Sequence, residues 1–123
     1  MEYRGFRDLK VYQLSYQLAL EIFQITKNYP REELYSLTDQ IRRSSRSVPA
    51  NIAEAWRKRK YPKSFVSKLT DSLAEESETE VWLEFSKDLK YLIEEKYKYF
   101  ISKYDEVARM LSAMIDNPDK FCH

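Results

Sequence analysis

Gln40-Ile41-Arg42-Arg43-Ser44-Ser45-Arg46-Ser47-Val48-Pro49-Ala50-Asn51-Ile52-Ala53-Glu54-Ala55-Trp56 is the stretch on which the fold turns. Ile41, Ser45, Val48, Ile52 and Trp56 recur at three- and four-residue intervals, the spacing of one helix face. With Leu37 upstream they form a buried stripe. Pro49 interrupts it. A proline cannot donate to the Ser45 carbonyl, and its ring crowds the preceding turn, at about 3 kcal/mol in a regular helix. Two readings stay open: one helix kinked at Pro49, or a helix that stops and restarts with Ser47 as a new cap. The stripe keeps its phase across the proline, which favours one kinked helix.

Working outward, three more amphipathic segments appear. Upstream, Val11, Tyr12, Ser15, Leu18, Ala19, Ile22, Phe23 and Thr26 mark a helix over about 9–27, with Asp8 as its N-cap. Asn28-Tyr29-Pro30 ends it. The second helix spans about 37–60, opened by a capping box of Ser36 and Asp39. Tyr61-Pro62 breaks the chain, and Ser64 caps a third helix over about 64–91. Its expected stripe is Phe65, Val66, Leu69, Leu73, Ser77, Val81, Phe85 and Leu89. A fourth covers about 94–116, with Tyr97, Phe100, Ile101, Tyr104, Val107, Ala108, Leu111, Met114 and Ile115 inward, and Pro118 beyond its end. Long helices on short connections predict an all-α, antiparallel up-down-up-down four-helix bundle, one domain over residues 1–123.

Composition agrees. One glycine and four prolines leave little material for the many turns of a sheet. The single cysteine, Cys122, cannot form an internal disulfide, which fits a reducing compartment. No apolar run is long enough for a membrane span or a signal peptide, so a cytoplasmic protein is expected. Net charge is only +1. Locally, residues 42–63 carry eight bases against Glu54, and residues 71–95 carry nine acids against Lys87 and Lys90. Two such segments can face each other or a partner.

Phe6-x-Asp8-Leu9-x-Val11-Tyr12, Leu37-Thr38-x-Gln40-Ile41-Arg42-Arg43 and Ser47-Val48-Pro49-Ala50-Asn51-Ile52-Ala53-Glu54 together resemble the bacterial four-helix-bundle proteins. These are also called intervening-sequence proteins, because some are encoded within insertions in large-subunit ribosomal RNA genes. Glu78-Thr79-x-x-Trp82-Leu83 and Tyr104-Asp105-Glu106-Val107 extend the match, which runs from Tyr3 to Phe121. Two places depart from the pattern. Ala55-Trp56 stands where many relatives have glycine after the glutamate, and Lys90 stands where many have glycine closing the third helix. The resemblance implies a bundle that assembles into a ring-shaped homopentamer of unsettled molecular role.

Chemistry is sparse. His123 is the sole histidine and ends the chain, so no Ser/His or Cys/His set exists, and one glycine cannot build a phosphate loop. Glu75-x-x-Glu78 without an internal histidine falls short of a diiron pattern, so no metal and no cofactor are expected. Binding is the expected activity. Arg57, Lys58, Arg59, Lys60 and Lys63, flanked by Trp56 and Tyr61, are the candidate RNA- or DNA-binding surface. The same run also suits a solvated helix end opposing the helix dipole. Arg42, Arg43 and Arg46 are expected to pair with Glu75, Glu76 and Glu78 in a structural network. Asn51 and Glu54 form a polar patch that satisfies the backbone near Pro49 or bonds across a subunit interface. The surplus of rings at Tyr91, Tyr97, Tyr99 and Tyr104 points to a further partner for the fourth helix. The rival reading is a structural or protein-interaction module that binds no nucleic acid.

Overall fold

A computed structural model describes residues 3–123. Four helices form: α1 (Lys10–Thr26), α2 (Leu37–Arg57), α3 (Pro62–Asp88) and α4 (Glu94–Asp116), with no strand among the described residues. Short 3₁₀ turns at Phe6–Asp8, Arg31–Glu33 and Pro118–Lys120 flank them. Each helix packs on its sequence neighbour, and α1 also packs on α4, so the four enclose one core as a bundle. Thr26 and Phe23 of α1 meet Arg42 and Arg46 of α2. Val48 and Ser44 of α2 meet Ser72 and Thr79 of α3. Numbers rise on one helix as they fall on the next, so these pairs lie side by side in opposite sense. No helix among the described residues is long and apolar enough to cross a membrane.

The inward faces of α1, α2 and α4 follow the three-four spacing. Leu18, Ile22, Ile41, Val48, Ile52, Tyr104, Val107 and Leu111 are fully buried. α2 runs unbroken through Pro49, so the stop-and-restart reading does not hold.

α3 differs from expectation. Its buried residues are Phe65, Leu69, Ser72, Glu76, Thr79, Leu83 and Ser86. They alternate steps of four and three, whereas the expected stripe took steps of four from Leu69 onward. A fixed step of four advances about 40° too far on a helix of 3.6 residues per turn. Over several turns it walks off the core, and Val81, Phe85 and Leu89 stand 46%, 50% and 48% exposed.

The helix ends were also misplaced, for reasons of local chemistry. Asp8 does not cap α1; its Oδ2 accepts from the Arg4 amide at 2.7 Å. Neither Ser36 nor Asp39 closes a capping box. Instead Glu33 accepts from the Ser36 hydroxyl at 2.7 Å and from the Leu37 amide at 3.4 Å. α3 starts at Pro62 rather than behind Ser64, because proline suits a first turn that needs no amide donor. α3 ends at Asp88. The Tyr91 amide donates to the Ser86 carbonyl (2.9 Å) and the Lys90 amide to that of Lys87 (3.0 Å). This is the Schellman closure, and it puts Lys90 at φ 66°, a left-handed position that glycine takes without strain.

A buried polar layer crosses the bundle. The Ser72 hydroxyl donates to the Val48 carbonyl at 2.8 Å, and the Thr79 and Ser44 hydroxyls lie 2.8 Å apart. Glu76 sits among them, 1% exposed. Its Oε2 and the buried Tyr104 hydroxyl have no partner among the described residues. Burial first, then the hydrogen bond and charge of Glu80 and the charge of Asp105, push the Glu76 carboxyl up to about 9. Glu76 is therefore neutral at pH 7.

Two measurements follow. Lys90→Gly relieves the left-handed lysine and raises stability by up to about 1 kcal/mol in urea titrations. The folded chain holds a proton on Glu76 that the unfolded chain releases above its ordinary value of 4.5. Stability therefore falls as pH rises from about 4.5 towards about 9, with a slope of at most about 1.4 kcal/mol per unit. Glu76→Gln flattens that decline, seen as a melting temperature less sensitive to pH across this window.

Candidate nucleic-acid interface

The run after Trp56 is built at one end of the bundle. α2 stops at Arg57, and Lys58 to Tyr61 turn the chain into α3. The Tyr61 amide donates to the Lys58 carbonyl at 2.9 Å, which tightens the turn. Trp56 is 5% exposed and closes the end of the core. Tyr3 packs edge-on against its ring at 5.6 Å, and Phe121 lies beside Tyr3 at 6.1 Å. Both terminal segments thus meet at the end that carries the cations.

Arg59 is held most firmly. Its guanidinium lies 3.8 Å from the Trp56 ring centroid, and its Nε donates to the Trp56 carbonyl at 2.9 Å. Stack and bond fix the plane and leave the two terminal nitrogens uncommitted. Arg57 approaches the Phe6 ring at 6.0 Å from one side, and Arg7 covers it at 4.5 Å. The result is a cavity of about 450 Å³ lined by Arg4, Arg7, Arg57, Arg59 and Lys60, with Phe6 and Trp56 at its wall. His123 also borders it, no aspartate or glutamate is among its lining residues, and none of these five cations forms an ion pair among the described residues.

The structure gathers only part of the expected surface. Arg57, Arg59 and Lys60 line the cavity. Lys58 is exposed outside it, and Lys63 lines a separate shallow groove with Val66 and Pro118. Arg4 and Arg7 were missed. They sit about fifty residues upstream, and only the packing of the first 3₁₀ turn on α1 and α2 brings them across. The Arg-Gly-Phe-Arg sequence of residues 4–7, two cations around a ring, was the available signal.

The expected arginine–glutamate network does not form within the chain among the described residues. Arg42 turns to α1, where its Nε donates to the Thr26 hydroxyl at 2.8 Å and its guanidinium covers Phe23 at 4.6 Å. Arg46 covers the other part of that ring at 5.6 Å. Arg43 joins them along a cavity of about 640 Å³. Glu78 accepts instead from the Trp82 indole at 3.1 Å. Burial, then the charge of Glu78, holds Glu75 above the usual carboxylate range, and Arg43 offsets this only in part. The reason is rotational: Ser44 and Val48 of α2 face α3, while Arg42 and Arg46 face Phe23 of α1.

Asn51 and Glu54 also separate. Asn51 donates to the Ser47 carbonyl at 2.9 Å, satisfying its own helix, while Glu54 reaches Lys68 of α3 at 2.8 Å. The Lys68 hydrogen bond and charge hold Glu54 below the ordinary glutamate value. No group of acids, histidines and cysteines suited to a metal occurs among the described residues.

Of the rings gathered on α4, Phe100 and Tyr104 are buried, while Tyr99 is 39% exposed and its hydroxyl donates to Glu21 at 2.8 Å. Further exposed apolar surface lies on α3 and α1. It comprises Val81 and Phe85 of α3 and Leu89 just past its end, with the 90%-exposed Tyr35 nearby. On α1, Tyr16, Leu20 and Phe23 meet Pro49 and Arg46 in a groove of about 310 Å³.

Residues 7–113 match the family described as 23S rRNA-intervening sequence protein. Among solved structures, a protein with unknown function from the S23 ribosomal protein family of Bacteroides thetaiotaomicron is 31% identical. The alignment covers 86% of this chain and 95% of that one, with a TM-score of 0.78. No curated protein matches.

Charge reversal of Arg59 tests the geometry of the cavity wall. Arg59→Glu loses both the indole stack and the bond to the Trp56 carbonyl. Tryptophan fluorescence is expected to shift, with a larger change than for Lys58→Glu, which touches neither.

Proposed function

The chain belongs to the 23S rRNA-intervening sequence protein family, and from that premise we propose a cytoplasmic, non-enzymatic bundle that assembles with its own copies and holds nucleic acid at its cationic end. The observation that carries the binding half is the cavity where five cations meet with no Asp or Glu among its lining residues. Cations held close together without carboxylates repel one another, and a polyanion relieves that repulsion while releasing its counterions. The family's description concerns intervening sequences of 23S rRNA, which makes RNA the first polyanion to test.

Two unlike surfaces support the assembly half. The α1–α2 groove is apolar, with Arg42, Arg43 and Arg46 outnumbering Asp39 along its edge. The α3 face is apolar with Glu33 and Glu78 beside Trp82. They suit each other in charge and in apolar content, and they lie on different sides of one chain. A contact between unlike patches is head-to-tail and closes into a ring when the rotation permits. Five copies is the closed form that the family resemblance implies. A structural module with no nucleic-acid partner is the second reading, and the same apolar faces favour it.

Light scattering is expected to give a mass five times that of the chain. Phe85→Asp, exposed in the single chain, should yield monomers with unchanged helicity; a wild-type monomer overturns the assembly. RNA binding, read by fluorescence anisotropy, should weaken steeply with salt and disappear when Arg57 and Lys60 are both changed to Glu. An oligomer that binds no RNA even at low salt leaves the structural module standing.

A further inference from the structure

We propose that the cationic cavity takes single-stranded rather than duplex nucleic acid, with the backbone on Arg7, Arg57 and Arg59 and an unpaired base stacked on Tyr61. This rests on the nucleic-acid reading above and narrows it.

Tyr61 is 60% exposed and follows directly on Lys60, which lines the cavity, without lining it itself. Lys60, which lines the cavity, places its Nζ 5.9 Å from the Tyr61 ring centroid. The ring is mounted on a stiff turn. Pro62 restricts the residue before it to extended backbone, and Tyr61 is found at φ −121° and ψ 93°. Its amide is bonded to Lys58, and its carbonyl accepts from the Phe65 amide at 2.9 Å. An exposed aromatic ring therefore stands one residue from a cation that lines the cavity, without the entropy cost of a mobile loop.

The two rings at the cavity wall already carry cations, Phe6 under Arg7 at 4.5 Å. Trp56 is buried, with Arg59 stacked upon it. Arg59 instead presents two free terminal nitrogens in a fixed plane, which suits the paired oxygens of a phosphate. One wall thus binds charge and the adjoining ring offers stacking. Single strands use both, because their bases can leave the stack and lie on a ring. A duplex keeps its base faces covered and engages only the cations. The difference between the two ligands is then carried by Tyr61.

The test uses the full chain and one 12-nucleotide mixed sequence, as single-stranded RNA and as its RNA duplex, by anisotropy at low salt. The single strand should bind more tightly. Tyr61→Ala should weaken single-strand binding about tenfold while leaving duplex binding unchanged, and Tyr61→Phe should retain it. Circular dichroism checks that the variants fold. Equal binding of the two ligands, or an equal loss on both with Tyr61→Ala, overturns this inference and leaves the nucleic-acid reading intact. No binding of either ligand by the wild type overturns both.

Discussion

The seam between α2 and α3 governs the rest of the molecule. It is held by hydroxyls as much as by hydrocarbon: Ser72 on the Val48 carbonyl, and Thr79 against Ser44. Apolar contacts tolerate sliding and rotation, because burial depends on area and not on direction. Buried hydrogen bonds do not, since a shifted register leaves donors unpaired in a dry interior. The Ser72 bond therefore favours one register and one rotation of the helices, and the Thr79–Ser44 contact fits the same arrangement. Once α2 turns Ser44 and Val48 to α3, Arg42 and Arg46 are left to face α1. Once α3 turns Ser72, Glu76 and Thr79 inward, Val81, Phe85 and Leu89 must face out.

That constraint explains what was legible in the sequence. α1, α2 and α4 bury aliphatic and aromatic side chains, so their inward faces could be read from hydrophobic spacing alone. α3 buries polar groups along its middle and leaves apolar ones outside. Hydrophobicity there points to the wrong face, and following it drew the stripe through Val81 and Phe85. The alternation of four and three through Ser72, Glu76 and Thr79 was present, but small hydroxyls and a carboxylate do not announce burial. The caps failed for a related reason. Glu33 reaches α2 from outside the helix, and Asp8 is taken by the Arg4 amide.

The candidate site was legible in its local half only. Arg57 to Lys60 are consecutive, and a run of cations is visible in any reading. Whether each member points into one cavity depends on where a helix ends, and α2 ends three residues before the expected boundary. That difference separates Lys58 from its neighbours. Arg4 and Arg7 join through topology, because α1 begins where α2 ends. Arg42 and Arg46 show the converse. They were assigned to acids by charge, yet Phe23 and the Thr26 hydroxyl, which carry no charge, claim them.

Trp56 ties the fold to the site. Its indole is part of the core, and its outer face and carbonyl hold Arg59. Tyr3 packs nearly perpendicular to the same ring and lies beside Phe121, which in turn stacks near Phe65 at the start of α3. A cation fixed to a core residue costs little further ordering when it meets an anion, because its rotamer freedom was lost on folding. The cations that do not touch the core, Lys58 and Lys63, lack that advantage and contribute long-range field rather than a defined contact. Folding therefore grades the basic run: the members nearest the aromatic cluster are preorganised for binding, and those further out only attract.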